Sequence, residues 1–217
     1  MVATANAVAS GGVAPGGFGL GTATPTSLTT GAQVNALRES GWYAANISGA
    51  EAVNAGDCPL TYFGLLHLAR STKRMVQIGF SESTSWKAAV IMREMINDSE
   101  AWEPWEWLNP PMVEGMEYRT TERFNGKPVY TVFKVYNTSE YTFTNNIATI
   151  PYGISNLNRF IYVFAMYDGC PIPMWRTIPD HEVYVDRYGG SGLTLYAGPS
   201  YQGKGLGVIY KYTKTAN

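Results

Sequence analysis

A chain of 217 residues with 23 Gly, 12 Pro and only 15% charged side chains can hold one large domain or two small ones, and is too rich in turns for a helical bundle. Its 16 basic and 17 acidic residues nearly cancel, and no window gathers the basic face that nucleic-acid binding requires. Cys58 and Cys170 lie far apart with no CxxC and no clustered His, so they read as free, largely buried thiols, and no metal or cofactor is expected.

Residues 1–30 hold six Gly, six Ala and no charge, the composition of a linker or an extended arm. Without charge this segment lacks the basic start of a signal peptide, so the general secretion route is not expected. The chain has no apolar run of the roughly 18 residues a spanning helix needs, and no membrane insertion is expected.

From about residue 31 to 110 there are five of the six Trp and two Tyr, whereas residues 118–217 carry thirteen Tyr and the single Trp175. This switch predicts two structural units joined near Asn109-Pro110-Pro111, where adjacent prolines oppose both helix and central strand. The acidic stretch from Asp98 to Glu122 predicts an exposed, extended connection there.

In the first unit, Leu60–Ala69 is an apolar run and Met75–Phe80 alternates as a strand. Residues Lys87–Ile96 suit either state; the tryptophans that bracket them favour a strand, with a helix as the alternative. In the second unit, Lys127–Tyr136, Arg159–Tyr167, His181–Arg187, Gly192–Ala197 and Gly207–Lys214 are β-branched and aromatic runs between Gly, Pro and Asp turns. That spacing predicts a sandwich or barrel, and the fold class is mainly β. No repeat or heptad pattern is present.

Catalytic signals are weak. Residues Gly198–Gly205 imitate a phosphate-binding loop, but Gly205 stands where magnesium needs Ser or Thr, and a strand pattern follows in place of a helix. No G-x-S-x-G elbow occurs, and nothing local activates Cys170 beside His181. His67 reads as a satisfied core residue. Glu103 and Glu106 surround Trp105 as a glycosidase pair would, yet in an extended segment Glu106 points away from Trp105 and Trp107 onto a solvated face. The chain is therefore not expected to be an enzyme.

Three loops remain: Asp168–Ile178, Tyr188–Ser191 and Gly198–Gly205. They mix aromatics with Gly, Asp and Arg, as adaptable binding surfaces do. The candidate receptor-binding residues are Tyr167, Asp168, Trp175, Arg176, Tyr188 and Tyr201, with Trp175 first because Pro173 and Pro179 stiffen its loop. The competing reading has each aromatic capping the core.

Several segments resemble the C-terminal part of bacteriophage tail-fibre or receptor-binding proteins. Gly16-Gly-Phe-Gly-Leu-Gly21 resembles the segment before a pyocin-knob-like domain. Gly41-Trp-Tyr43, Met75-Val-Gln-Ile78 and Trp102-Glu-Pro-Trp-Glu-Trp-Leu-Asn-Pro-Pro111 look like the start, middle and end of that knob. Glu117-Tyr-Arg-Thr-Thr-Glu-Arg-Phe-Asn-Gly-Lys-Pro-Val-Tyr130 is similar to a segment between the knob and a terminal sandwich, whose last strand Ile209-Tyr-Lys-Tyr-Thr-Lys214 would supply.

The resemblance implies an arm (1–30), a knob-like domain (31–111) and a receptor-binding sandwich (112–217). It also implies a homotrimer in the virion tail, made in the host cytoplasm, that adsorbs to a bacterial surface glycan or protein. The arm, which matches no attachment domain, would dock onto other tail proteins or continue a longer fibre. A structural fibre or baseplate protein is the alternative, and a capsule depolymerase stands third.

Overall fold

A computed structural model of the chain describes residues 25–84, 88–96, 101–173, 182–189 and 192–215. It is mainly β and divides into two compact units, Met1–Pro111 and Met112–Asn217.

The first unit runs β1 (Thr26–Leu28), α1 (Gly31–Ala36), β2 (Gly41–Asn46), α2 (Ala50–Asn54), β3 (Tyr62–Ser71), β4 (Arg74–Ser81), β5 (Val90–Met95) and β6 (Glu106–Trp107). Strand β1, within the segment read as an arm, pairs parallel to β2; the later neighbours pair antiparallel in chain order. The Lys87–Ile96 region thus contains a strand rather than a helix, with Ile91, Arg93 and Met95 buried on one face.

Two short helices were not foreseen. Thr30 opens α1 with a capping box, its hydroxyl accepting from the Gln33 amide while the Gln33 side chain accepts from the Thr30 amide. Gly31 allows α1 to rest on α2: a Cβ there would lie 2.3 Å from the Glu51 carbonyl oxygen. Both helices cover the sheet face that carries Phe63, Leu65, His67, Met75 and Gln77, all buried. On the opposite face Trp42, Tyr62, Leu68 and Phe80 are exposed.

The second unit has two antiparallel sheets. One comprises β7 (Glu117–Phe124), β8 (Lys127–Tyr136), β14 (Leu206–Lys214), β10 (Leu157–Tyr167) and β11 (Cys170–Pro171) in that spatial order. The other comprises β12 (Val183–Gly189), β13 (Gly192–Ala197) and β9 (Ile147–Pro151). Inward residues of both, among them Val132, Ile150, Tyr167, Val183, Leu195, Val208 and Tyr210, form one core, so this unit is a β-sandwich.

Three expectations need correction. The stretch from 98 to 122 is not one exposed connection. Trp105, Glu106 and Trp107 are buried, as are Tyr118 and Thr120 in β7, and they interrupt exposed positions such as Glu103, Leu108 and Glu114. Glu106 is 8% exposed where a solvated face was expected, because both sides of this short strand are covered. Cys170 is exposed, since it lies in an edge strand, whereas Cys58 is buried and burial pushes its thiol up to about 12.

Candidate functional site

Two of the candidate segments meet at the end of β10, the start of Asp168–Ile178 and Gly198–Gly205, whereas Tyr188 pairs with Leu193 at the end of β13 remote from Gly198. Alternation along β10 sends Tyr167 inward, and the chain then reverses through Asp168 and Gly169, both at positive φ. The register pairs Tyr167 with Cys170, leaving a two-residue hairpin turn; such turns favour Asp-Gly because both central residues need φ above zero.

Tyr167 is therefore a core residue with no exposed ring to offer a ligand. Its hydroxyl organises the neighbouring loop instead. It donates to the Tyr201 carbonyl at 2.6 Å and accepts from the Lys204 amide at 3.1 Å. Burial raises the pKa of this phenol above its ordinary value, opposed by the Lys204 amide bond. The Tyr141 hydroxyl, from the segment after β8, donates to the Lys204 carbonyl.

The loop itself begins as a 3-10 turn, Pro199–Tyr201, with Pro at its start where a missing N–H costs nothing. Gly203 then takes a positive φ and the chain enters β14. Gln202 donates to Asn146 Oδ1 at 2.8 Å and to the Ala197 carbonyl at 3.3 Å, and the Asp168 amide donates to the Gly205 carbonyl at 3.0 Å. These contacts hold a loop whose exposed charges are Asp168 and Lys204, 3.7 Å apart with side chains 52% and 45% exposed. An ion pair this open adds little stability, so both groups keep their hydrogen-bonding capacity for a ligand. Because β14 follows directly, the segment lacks the helix N-terminus of a phosphate loop.

Of the candidates, Asp168 is exposed and Tyr201 is half-buried, packed on the core beside it. Tyr188 lies in β12, paired with Leu193, rather than in the loop expected for it. The β12–β13 ladder runs on to the Gly189–Gly192 pair, which is why the strand extends past the apparent Gly-rich boundary. Trp175, Arg176 and His181 lie outside the described residues.

Sequence reasoning missed Tyr141, Gln202 and Lys204 as parts of one cluster. The only signal was the Gly-x-Lys-Gly spacing that imitated a phosphate loop. It also missed two aromatic pairs on the outer surfaces, Tyr162 with Phe164 and Tyr184 with Tyr196, stacked at 6.4 and 4.7 Å. The first pair is spaced two residues apart on β10 and the second sits directly across the β12–β13 ladder.

Comparison with known proteins returned no matching family model and no matching curated protein. Three solved structures are similar. The N-truncated R2-type pyocin tail fibre aligns with 86% of this chain and 95% of its own, at 11% identity and a TM-score of 0.28. A C-terminal fragment of the Pseudomonas aeruginosa R1 pyocin fibre covers 88% of this chain and 68% of its own, at 9% identity and a TM-score of 0.31. A corresponding R2 fragment from that organism covers 86% and 65%, at 12% identity and a TM-score of 0.26.

Proposed function

We propose that the chain is the C-terminal part of a phage-type tail fibre that adsorbs the virion to bacterial cells, with the end of the sandwich around Asp168, Tyr201 and Lys204 contacting a surface glycan. The observation that carries this reading is the pinned 198–205 loop. Two buried tyrosines fix its backbone, so little conformational freedom is left to lose on binding, while a carboxylate, an ammonium and a phenol ring stay at the surface. Carboxylates and ammonium groups hydrogen-bond sugar hydroxyls, and aromatic rings pack on the apolar faces of sugars.

The resemblance of residues 117–130 and of the chain's end to fibre segments supports the same class. A homotrimer belongs to this reading, with the arm meeting other tail proteins. The exposed Trp42, Tyr62, Leu68 and Phe80 on one sheet face are side chains that an assembled fibre would cover. Three copies would multiply a weak single-site affinity through effective concentration.

The test is adsorption of the full chain to a panel of bacterial strains, with light scattering on the same sample. Retention on some strains, competed by their purified surface polysaccharide and reduced about ten-fold in Lys204→Ala or Asp168→Ala, is the expected result. Retention on no strain, or adsorption indifferent to both substitutions, overturns the assigned role. A monodisperse monomer overturns the trimer.

A further inference from the structure

The buried face of the first sheet carries a polar row. His67 on β3, Gln77 on β4 and Arg93 on β5 are adjacent in register, and all three are inaccessible or nearly so. Gln77 joins the row: its Oε1 accepts from Arg93 Nε at 2.8 Å, and its Nε2 donates to the Val34 carbonyl at 2.8 Å and lies 3.3 Å from His67 Nδ1.

Arg93 is the unusual member. It is 2% exposed, and its guanidinium carbon sits 4.5 Å from the Trp102 ring centre and 4.3 Å from that of Trp105. Its remaining bonds go to the Ala55 carbonyl at 2.9 Å and to Asn35 Oδ1 at 2.8 Å. Every acceptor is neutral. Among the described residues no carboxylate pairs with it, although buried charges are normally paired. Burial accordingly draws its pKa down to about 9. Cation–π contacts lower the cost of burying the cation without cancelling its charge.

Two of the five N–H donors of this guanidinium are uncommitted. The residue lines an open cavity of about 560 Å³, together with Asn35, Arg38, Asp57, Trp102 and Glu103. Arg38 adds a second cation at the wall, and among the described residues its side-chain hydrogen bonds reach only the Asn35 and Leu37 carbonyls. Asp57 and Glu103 are exposed, where solvent screens their charge, and can accept hydrogen bonds from hydroxyl groups.

We propose that this cavity is a binding site for an anionic monosaccharide unit, its carboxylate or phosphate meeting Arg93 and Arg38 and its hydroxyls meeting Asn35, Asp57 and Glu103. A planar guanidinium suits either oxyanion, and the volume accommodates one sugar ring. The site lies within the first unit and does not depend on the role assigned to the 198–205 loop.

The experiment titrates the full chain with glucuronate, glucose 6-phosphate and glucose at matched ionic strength, reading tryptophan fluorescence and saturation transfer to the sugar. A saturable response to either anionic sugar, with glucose at least ten-fold weaker, is the expected result, and the two anionic arms decide between carboxylate and phosphate. Arg38→Gln, an exposed position, should weaken binding about five-fold without changing the melting temperature. Arg93→Lys keeps the charge and loses the fork, and should weaken it more than ten-fold. If Arg93→Lys does not fold, Arg38→Gln carries the test. No saturable response to either anionic sugar up to about 50 mM, equal binding of glucose, or indifference to Arg38→Gln overturns the proposal.

Discussion

The indole of Trp42 lies against the backbone of Gly64 on the neighbouring strand, so closely that a Cβ on Gly64 would stand 2.6 Å from the ring carbon Cζ2. The missing side chain is the seat of the ring, which also meets Phe80 at 5.7 Å between centres. Gly64→Ala should push Trp42 outward, and the indole, 37% exposed, has room to move. The expected cost is the lost ring contact, about 0.5–1.5 kcal/mol. A red-shifted emission with a melting temperature a few degrees lower would show this; an unchanged near-ultraviolet dichroism would count against it.

Tyr167→Phe removes a donor and an acceptor that serve the 201–204 backbone. Leaving both partners under-satisfied should cost about 1–3 kcal/mol in denaturant unfolding. Hydrogen exchange at the Lys204 amide should accelerate more than at β8 amides. Equal protection in both places would mean that the hydroxyl does not hold the loop.

His67 gives the stability a pH dependence of defined sign. Burial first, then Arg38 and Arg93, lower its pKa to about 4, while in the unfolded chain it returns to the ordinary 6.5. Between those values the unfolded state binds the extra proton, so stability rises with pH through this window and is lost as pH falls from 6.5 towards 4. The contribution is fully present above 6.5. His67→Leu should flatten this slope, read as urea midpoints at pH 5 and pH 7. An undiminished slope in the variant would assign it to other groups.

Two carboxylates on β7 should behave differently. Glu117 accepts from the Lys214 ammonium and from the hydroxyl of Tyr212, which is buried. Among the described residues the Glu122 carboxylate pairs with Lys211 alone, in an exposed pair, its own side chain 52% exposed. Glu117→Gln should cost about 1–2 kcal/mol, because a buried hydroxyl loses its charged acceptor. Glu122→Gln should stay within about 0.5 kcal/mol. Equal midpoint shifts for the two variants would contradict this ranking.

The strands were readable wherever alternation and turn residues agreed. Lys127–Tyr136 and Gly192–Ala197 coincide with β8 and β13 to the residue, and β14 begins one residue before its expected start. Helix α1 was signalled by Thr30 and Gln33 at capping-box spacing, but six residues are too few to show helical periodicity. The sites were harder to read. Period-two alternation separates the faces of a strand without stating which face is covered. Glu106 therefore looked solvated and is buried, and Tyr167, read at the end of its strand as a receptor-binding candidate, is core. The pairing of Lys204 with Asp168 joins residues 36 positions apart, a proximity created only by the β10–β14 ladder.

The brevity of two outer strands, β1 and β11, bears on how such a chain tolerates crowding. With a net charge of only −1, electrostatic repulsion does little to stop sheets of neighbouring molecules from fusing edge to edge. Two of the margins supply part of that protection. Strand β1 has three residues and β11 has two, one of them Pro171, which has no N–H to donate. An incoming strand would find too little ladder to extend along either of these two short strands.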